Sequence, residues 1–256
     1  MKLGIMQGRL SLPVDGHMQE FPTHWMGEFM LLQRMKLNHL EWLVTEKSFR
    51  NNPVLTPQYS LNYIPISSIC ADNLVDERIA DREFLFSNLL PICEGALKNG
   101  VSKITIPLLE DSSVEDDNKR DAFSKLISEI AFKHSRIQFS FEAELQPQRL
   151  LEILTKAPNF FVTYDTGNVT SCRFDHTEYV NLLAKYINNV HLKDRTLGGE
   201  TVEPFTGDTD FKLIFQLLNE IGYNGPYTMQ TARGEEGKEY ETIMRHKEIF
   251  EEVFNE

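Results

Sequence analysis

Short β-prone runs alternate with longer amphipathic runs along the whole chain, and this alternation constrains the fold more than any other feature. Strands are expected at 2–6, 39–44, 65–71, 102–107, 136–142, 160–165, 188–193 and 226–230. Helices are expected at about 24–36, 77–98, 117–134, 147–156, 177–185, 208–221 and 239–253. The 53–63 segment makes a poor helix and reads as a short or irregular connection. Strand–helix alternation calls for a parallel sheet with crossover helices. Eight such units in 256 residues fit a single (β/α)8 TIM barrel domain over 1–256, because such barrels typically take ~250 residues. The competing fold is an open doubly wound sheet. It wants a glycine-rich phosphate turn after the first strand, and the segment MQGRLS lacks the G-x-G-x-x-G spacing.

Local punctuation agrees with these boundaries. Asp76 precedes the helix at 77–98, Pro147 opens the one at 147–156, and Asp208 or Asp210 is placed to cap the one at 208–221. Gly100 and Gly222 sit just past helix ends, where a left-handed residue is wanted. The charged stretch 110–121 reads as a solvated loop leading into a helix.

Alternation also assigns faces to the later strands. Gln138, Ser140, Glu142 and Glu144 share one face opposite Ile137, Phe139 and Phe141. Thr163 and Asp165 share a face, His191 and Lys193 oppose Val190 and Leu192, and Thr228 and Gln230 oppose Tyr227 and Met229. Strands covered on both faces usually read as continuous apolar runs, so four consecutive half-polar strands call for a polar barrel interior. Glu142, Asp165, His191 and Gln230 lie at the C-terminal ends of these strands, the end where barrel enzymes carry their active sites. Two carboxylates, an imidazole and an amide oxygen form a mixed site suited to Mn2+, Mg2+, Co2+ or Zn2+. Lys193, Arg195, Gly198 and Gly199 follow the seventh strand, a position where barrel phosphate sites often form. Arg233, Asn168, Glu144 and, from the first loop, Arg9 complete the candidate substrate contacts. His39 sits at a strand start, and His17, His24, His134, His176 and His246 fall in loops or helices, so all six read as structural or surface residues. Trp25 and Trp42 read as core.

The segments YDTGN (164–168), VHLKD (190–194), TGDTDF (206–211), LEWLVTEKSFRNNPVLT (40–56) and SICAD (68–72) resemble the xylose-isomerase-like barrel superfamily of sugar-phosphate isomerases and epimerases. That superfamily also contains apurinic-site endonucleases. The resemblance runs from GIMQGRL to YTMQTAR. It implies a divalent metal held by Glu, Asp, His and Glu at the ends of strands five to eight, the first three being Glu142, Asp165 and His191. The fourth position holds Gln230, which can ligate through its carbonyl oxygen but cannot take a proton. The implied reaction is isomerisation or epimerisation of a sugar or sugar phosphate through an enediolate, with Glu142 as base. Glu41, Glu110, Glu144 and Asp194 are candidates for the base that Gln230 does not supply.

Three alternatives remain open on the same barrel: a keto-sugar dehydratase, a non-catalytic sugar-binding protein and a DNA-repair endonuclease. Against the last, Asp+Glu at 38 exceed Lys+Arg at 26 and give a net charge of −12, which repels phosphate backbones. Strands two and three also end without a histidine. The partner expected is therefore a small molecule, not nucleic acid, and a homo-oligomer is compatible with the sequence. Cys70, Cys93 and Cys172 suggest no disulfide framework, so a reducing cytoplasm is the simplest setting. No leader-like segment opens the chain, and no run of ~20 apolar residues spans a membrane.

Overall fold

A computed structural model describes residues 1–13, 19–56 and 58–255. Eight parallel strands close into a barrel: β1 Lys2–Met6, β2 Leu40–Leu43, β3 Ile66–Cys70, β4 Lys103–Leu108, β5 Gln138–Ala143, β6 Phe160–Asp165, β7 Ile187–Leu192 and β8 Pro226–Met229. The pairing order runs in sequence and β1 closes on β8, with Gly4 beside Thr228. Every expected strand is present within two residues of its expected span.

The helices are α1 Trp25–Arg34, α2 Arg82–Lys98, α3 Asp117–Lys133, α4 Pro147–Leu154, α5 Thr166–Ser171, α6 His176–Leu183, α7 Phe211–Glu220 and α8 Glu239–Asn255. No helix links β2 to β3 among the described residues, as the poor 53–63 segment implied. One expectation needed correction. Asp76 caps only a short 3-10 turn, Glu77–Ala80, while Asp81 caps α2 by accepting from Phe84 N. The short helix α5 and a two-residue antiparallel ladder, Asp194–Arg195 with Thr201–Val202, went unforeseen. Asp210 is the cap of α7, accepting from Leu213 N at 3.0 Å. Gly100 and Gly222 have φ of +70° and +71°, the left-handed conformation that a C-terminal stop requires.

The outward faces of the strands meet the helices. Phe141 packs on Phe123 of α3 and on Phe160, with ring centroids 5.9 and 5.1 Å apart. Trp42 is fully buried, and Trp25 packs edge-on against it at 5.5 Å, so both tryptophans are core. Inside the barrel much of the lining is polar and internally paired: Thr105 Oγ1 donates to Glu41 at 2.7 Å, and the hydroxyls of Ser140 and Thr163 lie 2.7 Å apart, while Met6, Leu43 and Cys70 form a small apolar cluster at the ends of β1, β2 and β3. Most buried polar groups in native folds are paired in this way. Alternation therefore sorts the strands as the sequence indicates, and the polar column rises toward the C-terminal mouth. No helix among the described residues is long and apolar enough to cross a membrane.

Candidate active site

Glu142, Asp165 and His191 end β5, β6 and β7 on the inward face, and one ligating atom from each lies within 4.8 Å of the others. His191 Nδ1 is 3.3 Å from Glu142 Oε2 and 3.9 Å from Asp165 Oδ2. All three are buried, as is Gln230, which directly follows β8 and extends its ladder by donating to Leu192 O. Asp165 Oδ2, His191 Nδ1 and Gln230 Oε1 have no hydrogen-bond partner although each is buried. Buried polar atoms left unpaired in a native fold call for an explanation. Here the unpaired atoms are two oxygens and an imidazole nitrogen beside a further carboxylate, which is a donor set that fits a divalent cation.

The orientation of each donor has a local cause. The other oxygen of Asp165 accepts from Asn168 N at 2.7 Å and so caps α5. Asn168 Nδ2 donates to Glu142 Oε1 at 3.0 Å, which fixes that carboxylate and leaves Oε2 facing His191. Gly167 lies between them because a Cβ there would come within 3.0 Å of the side chains of Lys193 and Arg195. His191 Nε2 lies 3.0 Å from Glu41 Oε2, below the site in the barrel interior. Glu41 is in turn held by Thr105 and by Asn189 Nδ2 at 3.0 Å. A carboxylate behind an imidazole fixes which ring nitrogen carries the proton, so Nε2 is the protonated nitrogen and Nδ1 faces the cluster.

The charges act in the same sense. Burial opposes a charged His191, yet the facing Glu41 and Glu142 carboxylates hold its pKa well above the ordinary value. Burial likewise pushes Glu142 up, but His191 and Lys193 outweigh it and keep the carboxyl below its usual range. Asp165 is raised to about 6, chiefly by burial.

A cavity of about 390 Å3 opens above this cluster, lined by Glu142, Lys193, Gln230, Asp72, Glu110 and Cys70 among others. Larger hollows of about 710 and 630 Å3 flank it over the loops after β2 and β3, and both share Asp72 with it. Lys193 Nζ stands 3.6 Å from Asp165 Oδ2. Arg195 is committed within the protein: it donates to Gly199 O, Glu144 Oε1 and Asn168 Oδ1 at 2.8–3.0 Å. Arg9 and Arg233 lie on the β1 and β8 side, where they line a small hollow of about 40 Å3 and donate to the carbonyls of Thr231 and Ser11. The structure therefore brings Glu142, Asp165, His191, Gln230 and Lys193 together, with Asn168 and Glu144 behind them, while Arg9 and Arg233 stand just past β1 and β8, Arg9 within electrostatic reach of Asp72.

Of the four candidate extra bases, three are otherwise engaged. Glu41 is sealed beneath His191. Glu144 pairs with Arg195 at 2.9 Å. Asp194 accepts from the amides of Gly207 and Thr209 at 2.9 and 3.1 Å, which explains the TGDTDF segment. Glu110 is exposed at the cavity rim. Asp72 was missed by sequence reasoning. It ends the SICAD segment, one residue past the span where alternation assigns a face. His39, His134, His176 and His246 all make internal hydrogen bonds away from the cluster, His24 is exposed before α1, and His17 lies outside the described residues.

A family profile described as xylose isomerase-like TIM barrel matches residues 62–248. The chain belongs to this family. Solved barrels of similar architecture align over almost all of it. The IolI protein with a bound zinc atom aligns with a TM-score of 0.77 and 16% identity, over 100% of this chain and 98% of that one. The 3-keto-D-glucoside 4-epimerase YcjR of E. coli aligns at 0.72 and 15%, over 98% and 99%. The probable 3-DHS dehydratase AsbF of Bacillus anthracis aligns at 0.71 and 13%, over 98% and 99%. At these identities the likeness shows the fold. No functionally curated protein matches the sequence.

Proposed function

We propose that this xylose isomerase-like barrel epimerises or isomerises a small sugar by abstracting a proton next to a carbonyl, with Glu142 as the base. The observation that carries this reading is the set of unpaired donors, Asp165 Oδ2, His191 Nδ1 and Gln230 Oε1, gathered beside the Glu142 carboxylate at one cavity. Structures named as epimerases of D-allulose and of L-ribulose share the fold and support the substrate class.

Glu142, Asp165, His191 and Gln230 would hold a divalent ion, which would stabilise the negative charge that develops on substrate oxygens. Glu142 is held below its usual pKa by His191 and Lys193, so it is ionised and ready to accept a proton. Asn168 fixes one Glu142 oxygen and leaves the other, Oε2, at the cluster beside His191 Nδ1. Lys193 brings a cation to the cavity wall, placed to orient a hydroxyl or an acidic substituent. Among the described lining residues it is the one cation, so a phosphate on the substrate would be read through Lys193 rather than Arg195. The volume suits one sugar unit, since ligand pockets run ~300–1,000 Å3.

A second reading, dehydration of a keto sugar, shares the abstraction step and is favoured by Gln230, because elimination needs no second base on the opposite face. The test is incubation in D2O with Mn2+ and a panel of free and phosphorylated ketoses and aldoses. Deuterium at the carbon next to the carbonyl in recovered sugar supports the epimerase reading. Loss of water in the product mass supports the dehydratase. No exchange into any sugar refutes proton abstraction.

A further inference from the structure

Inversion at a carbon requires a proton to leave from one face and another to arrive on the opposite face. Glu142 covers only one of these, and Gln230 has no proton to give or take at neutral pH. We propose that Asp72, at the end of β3, is the second proton-transfer group of this site. The proposal rests on the proton-abstraction reading above.

The placement argues for it. In an eight-stranded barrel β3 stands diametrically opposite β7, so Asp72 faces the cavity from the wall across from Lys193, and Glu142 of β5 lies between the two. Asp72 on β3 and Glu142 on β5 stand two strands apart, a quarter of the way round the barrel, so a sugar held in the shared cavity meets the two carboxyls from different directions. The other nearby carboxylates are excluded by their contacts: Glu41 serves His191, Glu144 serves Arg195, and Asp194 serves two backbone amides. Glu110 shares the cavity but is exposed at its rim. Asp72 is part-buried, and burial, with the charges of Glu142 and Glu110, raises its carboxyl to about 7. A group poised near the working pH transfers protons in either direction most effectively.

The step balances as follows. Glu142 takes the proton from the carbon next to the carbonyl, and the bonding electrons pass into an enediolate. The Asp72 carboxylic acid then gives its proton to the opposite face of that carbon as the enediolate returns to a ketone. Glu142 is left protonated and Asp72 ionised, and exchange with water resets both.

The test uses the full-length Asp72→Asn protein with Mn2+ in D2O and two pairs of C3 epimers, D-fructose with D-allulose and D-tagatose with D-sorbose. Asparagine has nearly the shape of aspartate, and circular dichroism and melting confirm the fold. The expected result is a fall in epimer formation of ~10²-fold or more, the scale of general acid–base catalysis. Deuterium exchange should persist within a few-fold for one epimer of the active pair and be lost for the other. Epimer formation at the wild-type rate overturns the assignment, and so does equal loss of exchange from both epimers in a folded variant. If the wild type itself exchanges with no sugar, proton abstraction fails, and this assignment fails with it.

Discussion

Glu41 makes no contact with the cavity, yet it should govern metal affinity through His191. The substitution to test is Glu41→Gln. Three donors surround the carboxylate: Thr105 Oγ1 at 2.7 Å, Asn189 Nδ2 at 3.0 Å and the His191 Nε2–H at 3.0 Å. A glutamine can accept from Asn189 and His191 through its oxygen and donate its amide to Thr105, whose hydroxyl can turn toward Thr163 Oγ1, 3.3 Å away. The variant therefore keeps its hydrogen bonds and folds, and it removes only the charge.

Two effects then oppose each other. Loss of the charge makes His191 a poorer ligand, and losing such an outer partner typically weakens metal binding ~10–100-fold, or ~1.4–2.7 kcal/mol. It also lowers the pKa of the imidazolium that competes with the metal, since Glu41 is the largest influence raising it. That competition amounts to ~1.4 kcal/mol for each pH unit below the imidazolium pKa. The first effect should win at high pH, and the second should narrow the gap as pH falls. Calorimetric titration with Mn2+ across the neutral and alkaline range should give a wild-type affinity that rises steeply with pH. The variant should level off earlier and at weaker binding. Identical affinities with identical pH slopes would refute the claim that Glu41 acts on His191.

Three further outcomes are expected. Glu142→Gln abolishes deuterium exchange into substrate, whereas Glu144→Gln, which breaks only the 2.9 Å pair with Arg195, weakens it; the reverse ranking in the exchange assay would place the wrong glutamate at the cavity. Gln230→Glu tightens Mn2+ in the same titration without raising turnover, and a large gain in turnover would show that position 230 is a damaged catalytic site. His39, buried against Thr228, has its pKa lowered by burial to about 4, so the unfolded chain takes up a proton first. The stability that His39 confers relative to His39→Gln is therefore full above its unfolded value of ~6.5 and is lost as pH falls toward 4, by up to ~3 kcal/mol. Paired melting curves of the two proteins, with chelator present, check this, and a gap independent of pH contradicts it.

The barrel and the inner face of its later strands were legible because both depend on short periods. Ser140, Glu142, Thr163, Asp165 and His191 alternate with fully buried apolar residues, and a half-polar strand has one arrangement in a closed barrel. What was not legible depends on contacts without periodicity. Glu41 meets His191 across a separation of 150 residues, and no local pattern announces that pairing. Arg195 looked like a phosphate ligand because its residue type and loop fit one; only the structure shows its donors consumed by Gly199, Glu144 and Asn168. Helix α5 has six residues, too few for a helical period, and includes Gly167, which lowers helix propensity. Asp72 lies just beyond β3 in a 3-10 turn, where alternation no longer assigns a direction.

The charges explain why a neutral residue suits position 230. A divalent ion in the cradle would be balanced by Glu142 and Asp165 alone. The structure adds one more charge of each sign, Glu41 behind His191 and Lys193 beside Asp165 at 3.6 Å, and these offset each other. The loaded site is thus close to neutral with Gln230 in place. A glutamate there would sit 3% exposed among three other carboxylates. Without the metal, desolvation and repulsion together would drive it to hold a proton. With the metal, the site would carry a net negative charge and repel the anionic enediolate of the proposed reaction. Gln230 keeps an oxygen donor without either penalty. On the proposed assignment, the proton that such a glutamate would have carried comes instead from Asp72 on the β3 side of the cavity, close enough to Glu142 and Glu110 for their charges to raise its carboxyl.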